Sequence, residues 1–388
     1  VSGKDQRGIN RTTSDIGAYS FGIAVTNTND TGTGSLRDAI ALANTTPGND
    51  GIGFAFSSGT SPYTITLGSA LPNILDATTA VTGGTAGTVT INGLGATSLI
   101  INGNNGNSAR DFNIFNIATG GNLFISGVTV SGAQTTSNGG AFNNQGTLSI
   151  SNAILSANTA IFGAGVFNDG SGILNFSNST VSGNSADQGA GFANSGGTVT
   201  VTNSTVSGNS ADQGAGFANT GTVVFTNSTL SGNTAIFGGG VFNAGSGILD
   251  FSNSTVSENS AGQGGGIANT GTLNIANSIV ANSPNGGDYA GNGTIGTNTN
   301  NLVEDGSLPG TSEITGDPLL GPLQNNGGPT FTQALLSGSP AIGAGSATIS
   351  NATPINGMDQ RGFVRATSDI GAYSYNFATA NDAVVSLD

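Results

Sequence analysis

Residues 161–185 read IFGAGVFNDGSGILNFSNSTVSGNS, and residues 236–260 read IFGGGVFNAGSGILDFSNSTVSENS. Of the 25 letters, 21 return after 75 residues, and further copies divide that distance into three. The tail of the stretch recurs as NAILSANT from Asn152, NSTVSGNS from Asn178 and from Asn203, NSTLSGNT from Asn227, NSTVSENS from Asn253 and NSIVANSP from Asn277. These steps are 26, 25, 24, 26 and 24 residues. A second series is stricter: Phe142, Phe167, Phe192, Phe217, Phe242 and Ile267 stand at steps of 25. A third alternates apolar and polar residues, with Leu148/Ile150, Leu174/Phe176, Val199/Val201, Val223/Phe225, Leu249/Phe251 and Leu273/Ile275 as its apolar pairs. A fixed period of this length marks stacked units, each burying its apolar face against the next.

Each period holds three short segments separated by Gly, Asn and Ser. The alternation has the two-residue period of strands, and the segments are too short for helices. Glycines such as Gly163/Gly165 and Gly189/Gly191 would break a helical solenoid. The expected fold is therefore all-β: a right-handed parallel β-helix of ~25-residue, three-strand coils stacked ~4.8 Å apart, with a short N-terminal capping helix. The expected core is a set of ladders. One is the 25-step series of Phe and Ile267, and one is Val181, Val206, Leu230 and Val256. Each large buried side chain contributes roughly 1.5–3 kcal/mol, so such ladders hold a fold without disulfides. TVTINGL, SLIINGN and LFISGVTV read as earlier coils, and TIGTNTNNL and EITGDPLL as the last ones.

Composition agrees with a folded chain and excludes several functions. Only 7% of residues are charged and 66 are Gly, yet 35% are hydrophobic and regularly placed, which disorder does not require. Cys, His and Trp are absent, which removes thiol and imidazole chemistry. No Lys or Arg occurs between Asp111 and Gln360 in a chain of net charge −14, so nucleic-acid binding is not expected. No apolar run approaches the ~20 residues of a membrane span, and no signal peptide opens the sequence.

An open solenoid end exposes strand edges and needs a cap. Ser35-Leu36-Arg37-Asp38 followed by AIALAN predicts a helix with Ser35 as N-cap and Leu36, Ala39, Ile40 and Ala43 as its apolar stripe. TQALLSG, from Thr332, is expected to form a similar short helix near the other end. The two ends also match each other. DQRGINRTTSDIGAYS from Asp5 aligns with DQRGFVRATSDIGAYS from Asp359, a shift of 354, and Asn29-Asp30 then corresponds to Asn381-Asp382. The chain thus reads as slightly more than one unit of a tandem array. Its expected parts are an end segment, 1–22, homologous to 357–375; an N-terminal cap with the first irregular coils, 23–95; a regular β-helix, 96–285; irregular C-terminal coils and cap, 286–375; and a connector, 376–388.

The hexapeptides GGAFNN (Gly139), GAGVFN (Gly163), GAGFAN (Gly189 and Gly214), GGGVFN (Gly238) and GGGIAN (Gly264) resemble repeats of chlamydial polymorphic outer-membrane proteins. TNTNDTGTGSLRDAIALAN, from Thr26, is similar to the Ser-Leu-Arg-Glu-Ala motif that opens many large bacterial surface β-helix proteins. NNGGPTFTQALLSGSPAIGAG, from Asn325, with DQRG…DIGAY resembles their C-terminal region. Gln333 stands where such proteins often carry His, Gly343 where they often carry Asp, and Gly34 replaces the usual Cys. The resemblance implies surface display or secretion, an adhesive or structural role, and no catalytic residues to carry over.

Each candidate site has a plainer reading beside it. Asp187 and Asp212 occupy equivalent tips, and stacking would bring them near the ~5 Å carboxylate spacing of retaining glycosidases. No cation lies near them to hold an acidic sugar, so a solvated turn is the preferred reading and no catalytic residue is assigned. Asn178, Asn203, Asn227 and Asn253, with Asn277, head Asn-Ser-Thr or Asn-Ser-Ile, and Asn168, Asn194, Asn219, Asn243 and Asn269 recur likewise. Amide ladders bonding coil to coil are expected in preference to glycosylation. Outward Thr180/Ser182, Thr205/Ser207, Thr229/Ser231 and Thr255/Ser257 form a hydroxyl array that could take ice or extracellular glycans. Asn27, Asn29, Asp30, Asn49 and Asp50 offer oxygen ligands suited to Ca2+, although no spaced calcium loop is present and no cofactor is expected. The seven cations are Lys4, Arg7, Arg11, Arg37, Arg110, Arg361 and Arg365. Arg7 and Arg11 with Asp5 and Asp15, like Arg361 and Arg365 with Asp359 and Asp369, predict ion pairs at a junction between copies of the chain. The expected function is a structural module of an extracellular or cell-surface fibre or adhesin.

Overall fold

A computed structural model describes residues 22–46, 48–75, 87–104, 111–310 and 313–375. The chain is a parallel β-solenoid. Two sheets of 11 parallel strands and one of 8 form its three long faces. Successive strands of a face come from successive coils. Thr147–Ser151, Ile173–Ser177, Thr198–Thr202, Thr222–Thr226 and Ile248–Ser252 run in order along the first. Ile154–Ser156, Thr180–Ser182, Thr205–Ser207, Thr229–Ser231 and Thr255–Ser257 do so along the second. The third runs from Phe115–Ile117 to Tyr289–Gly291. A narrow fourth strip pairs Thr159–Phe162, Ser185–Gln188 and Ser210–Gln213.

The alternating pattern fixes which side chains enter. Leu148, Leu174, Val199, Val223, Leu249 and Leu273 stack in register and are buried. On the second face Val181, Val206, Leu230 and Val256 are each 0% exposed. Rings stack within this core: Phe192 and Phe217 lie 5.3 Å apart and Phe225 and Phe251 4.8 Å apart, near-parallel in both cases. Such pairs add to area burial.

The 25-step series needs correction. Phe142, Phe192, Phe217 and Ile267 point inward, but Phe167 and Phe242 do not. Their rung partners are Ala193 and Ala268, while Val166 and Val241 occupy the inward sites beside Phe192 and Ile267. Register is set by the corner glycine, not by a constant step. Gly163, Gly189, Gly214 and Gly238 all have φ near +60°, and the inward residue is the third after each. Gly is required there: at Gly189 a Cβ would lie 2.1 Å from the Phe192 carbonyl oxygen.

The Asn178, Asn203, Asn227 and Asn253 series also differs from expectation. These residues take left-handed corners, with φ of 49°, 51°, 46° and 49°, a conformation Asn tolerates well. The coil-to-coil amide ladders run instead on the Asn168 series, as the sequence suggests, and on a second series. One joins Asn144, Asn168, Asn194, Asn219, Asn243 and Asn269 through Nδ2–H···Oδ1 bonds of 2.7–2.9 Å. The other joins Asn158, Asn184, Asn209, Asn233 and Asn259 at 2.8–3.0 Å. Both are buried, and both also bond backbone groups of adjoining coils.

Helix α1 (Leu36–Ala43) packs Leu36, Ala39, Ile40 and Ala43 into the N-terminal end of the core, with the Ser35 hydroxyl accepting from the Asp38 N–H. Arg37 anchors it. The guanidinium pairs with Asp30 at 2.6 Å and donates to the carbonyls of Ser69 and Ala70. The segment from Thr332 is not a helix. Thr332–Leu335 forms an antiparallel hairpin with Leu320–Gln324, burying Thr332 and Leu335. A second helix, α2 (Ala347–Asn351), follows.

Candidate functional site on the solenoid flank

The residues beyond the last coil do not only close the end of the solenoid. They fold back along its second face. The Thr205 hydroxyl donates to the Phe331 carbonyl at 2.6 Å, and the Thr330 hydroxyl donates to that of Asn203 at 3.1 Å. The Asn227 amide donates to the Met358 carbonyl, and the Asn277 amide to that of Ser346. The Thr255 hydroxyl accepts from the Ala372 N–H, and the Asn277 carbonyl accepts from the Gly371 N–H. Residues 330–372 therefore span the coils from Asn203 to Asn277. Ile370 joins Ile279, Leu302, Leu335 and Ala341 in a small second core.

Gln360 is the hub. Its carboxamide oxygen accepts from the Thr229 hydroxyl at 2.6 Å. Its nitrogen faces the oxygens of Ser204, Thr205, Thr330 and Phe331 at 2.9–3.2 Å. The side chain is 0% exposed, so its removal would leave several buried groups unpaired.

The expected junction residues divide into two groups. Asp5, Arg7, Arg11 and Asp15 lie outside the described residues, as do Lys4, Arg110 and the connector 376–388. Asp359, Arg361, Arg365 and Asp369 all belong to the flank segment. Arg361 pairs with Asp359 at 2.6 Å, both buried, and its guanidinium lies 3.7 Å from the centre of the Tyr373 ring. Asp369 does not pair with Arg365 through its carboxylate, as the sequence suggests. That carboxylate accepts from the Gly343 N–H, the Thr367 and Ser374 hydroxyls and the Tyr375 N–H. Arg365 instead donates to Asn227 Oδ1 and to the carbonyls of Met358, Asp369 and Gly371. Burial lowers its pKa to about 10, opposed by the charges of Asp359 and Asp369, and it stays cationic at neutral pH.

The hydroxyl array is largely covered by this arrangement. Thr180 is half-buried, whereas Thr205, Thr229 and Thr255 are 1%, 0% and 2% exposed. The outward turn of Phe167 and Phe242 produces a groove of about 430 Å³ on another face, shared with Phe162, Gln188 and Gln213. Asp187 and Asp212 stand on neighbouring rungs beside it, both exposed. The oxygen-rich residues near α1 are engaged separately. Asp30 binds Arg37 and the Gly68 N–H, Asn27 the Asn29 N–H and Thr33 carbonyl, Asn49 the Thr88 N–H, and Asp50 the Thr46 hydroxyl. Among the described residues no three Asp or Glu are grouped to hold a metal.

Sequence reasoning missed two features. The Asn158–Asn259 ladder was signalled by the seventh letter of each NSTVSGNS copy. Gln333 is 1% exposed, and its carboxamide finds no hydrogen-bond partner among the described residues. No protein family, curated protein or solved structure matches this chain.

Proposed function

We infer that the chain is a structural module of an extracellular or cell-surface fibre or adhesin, joined to like modules as tandem units or head to tail. The observation that carries this reading is the 16-residue motif present at both ends, 354 residues apart, with an Asn-Asp pair following each copy, Asn29-Asp30 and Asn381-Asp382. A repeat at that spacing is what a modular array leaves in its sequence. The buried ladders support it, because they stiffen the scaffold along its axis without needing a ligand.

The rival readings have less support. An ice- or glycan-binding role for the Thr/Ser array loses most of its surface beneath residues 330–372. A polysaccharide lyase or glycosidase would need groups acting on a sugar. Asp187 and Asp212 are exposed copies of one turn in a stretch without Lys or Arg. Electron microscopy of the natural material tests the modular reading. Filaments with an axial repeat of several tens of ångströms, one solenoid length at ~4.8 Å per coil, are expected. Dispersed single particles would contradict it.

A further inference from the structure

Two rows of side chains face outward along the third face and the strip beside it. One runs Asn138, Phe162, Gln188, Gln213, Phe237 and Gln263. The other runs Asn143, Phe167, Ala193, Ala218, Phe242 and Ala268. A coil bearing Phe in both rows thus stands on each side of two coils that bear Gln and Ala. The cause is a local exchange. Coils with Phe192 or Phe217 turned inward carry Ala outward, whereas coils with Val166 or Val241 inward carry Phe outward. The groove of about 430 Å³ lies between these Phe coils, three rungs or roughly 14 Å from Phe167 to Phe242.

Its floor is the methyl groups of Ala193 and Ala218, and its ends are the rings of Phe162, Phe167 and Phe242. Gln188 and Gln213 line one side, half-buried, and their carboxamides bond no other group among the described residues. Ser195 and Thr220, both exposed, line the other side. Asp187 and Asp212 stand exposed beside the two glutamines. No Lys or Arg occurs between Asp111 and Gln360, so the only formal charge at the rim is negative. The segment 330–372, which covers the second face, contributes nothing to the lining of this groove.

We propose that this groove binds an uncharged glycan chain. A pyranose ring has an apolar C–H face and a rim of hydroxyls. The C–H face packs on the Phe rings and Ala methyls, and the hydroxyls meet carboxamides that both donate and accept. A volume of this size is that of a small-ligand site with apolar walls and a few convergent polar groups. The carboxylates beside it repel uronic and other acidic sugars, and no cation offsets them. An extended peptide is the poorer occupant. It gains affinity through main-chain bonds to a free strand edge, and the floor strands Phe192–Ser195 and Phe217–Asn219 are paired on both sides. The proposal gives the adhesin reading a ligand, but it concerns a single chain and does not rest on assembly into fibres.

Titration calorimetry of the full chain tests this, with neutral oligosaccharides of glucose, mannose, galactose and N-acetylglucosamine as probes. An oligogalacturonate and a short Phe- and Leu-rich peptide are the rival probes. At least one neutral chain is expected to bind, and the galacturonate and the peptide are not. Ala218→Phe extends the Phe242 row by one rung, fills the floor and should abolish binding. Gln213→Ala and Phe242→Ala should each weaken it roughly tenfold. Gln213 bonds nothing else in the described chain, so that variant carries the test if Ala218→Phe does not fold. The proposal is overturned if no neutral oligosaccharide binds at millimolar concentration, or if Gln213→Ala and Phe242→Ala both leave the affinity unchanged. Preference for the galacturonate or the peptide overturns it equally. Binding by chains that form no filaments would keep the groove and discard the fibre, and filaments without binding would do the reverse.

Discussion

The octapeptide NSTVSGNS occurs twice, at Asn178 and at Asn203, and the two copies stand on consecutive coils. Their inner faces are alike: Val181 and Val206 are both 0% exposed, and Asn184 and Asn209 belong to one amide ladder. Their outer faces are not. Thr180 is half-buried at the edge of the covered zone, whereas Thr205 is 1% exposed and bonded to Phe331 and Gln360. Identical local sequence thus gives the same strand and the same core but a different surface. What a coil builds inward is decided within its own repeat, and what it presents outward is decided by a segment more than a hundred residues away.

The largest test concerns the inner ladder. Phe217→Ala should cost about 3–5 kcal/mol of stability, because an inward ring leaves a cavity in a close-packed stack. Phe242→Ala, one coil on but facing out, should cost only about 1 kcal/mol. Urea denaturation of the two variants measures both, and equal losses would break the assignment of register. The paired threonines come next. Thr205→Val removes the short bond to the Phe331 carbonyl and one acceptor of the buried Gln360 amide, and should cost about 1–3 kcal/mol. Thr180→Val in the identical octapeptide should stay within about 0.5 kcal/mol. Similar costs for both would mean that the flank is not covered as described.

Two smaller effects sharpen the contrast between a satisfied ladder and its less orderly surroundings. Gln333→Leu should stabilise the chain by about 1 kcal/mol, since it removes a buried amide that has no partner. Loss of stability instead would reveal a partner for that amide. Near the last coil, burial pushes the Asp288 carboxyl up to about 6 from its ordinary 3.8. The folded state then holds that proton more tightly than the unfolded state. The contribution is complete below 3.8 and is lost as pH rises through about 6. The melting temperature should therefore fall from pH 5 to pH 7, and Asp288→Asn should remove that part of the slope. An unchanged slope in Asp288→Asn would assign it to other carboxylates.

Much of this fold is legible in the sequence, because a solenoid repeats its instructions. The Val181–Val256 ladder, the alternating first-face strands and the Ser35-capped helix follow from local pattern alone. The Phe167 and Phe242 positions were misleading for a physical reason. Coils of 24 to 26 residues let a ring fall at a constant step while the corner glycine moves by one. The flank site was half legible. Its residues stood out as a duplicated motif, but their grip on Thr205, Asn227 and Thr255 carries no periodic signal. The Thr229–Gln360 contact spans 131 residues and leaves no mark on either neighbourhood.

Hydrogen exchange resolved along the chain, comparing the wild type with Gln360→Ala, tests the central claim most directly. The account predicts that residues 356–375 lose protection while the strands from Thr147–Ser151 to Thr272–Ala276 keep theirs, because the flank segment lies outside a self-sufficient ladder. Loss of protection throughout the coils, or none in residues 356–375, would contradict it.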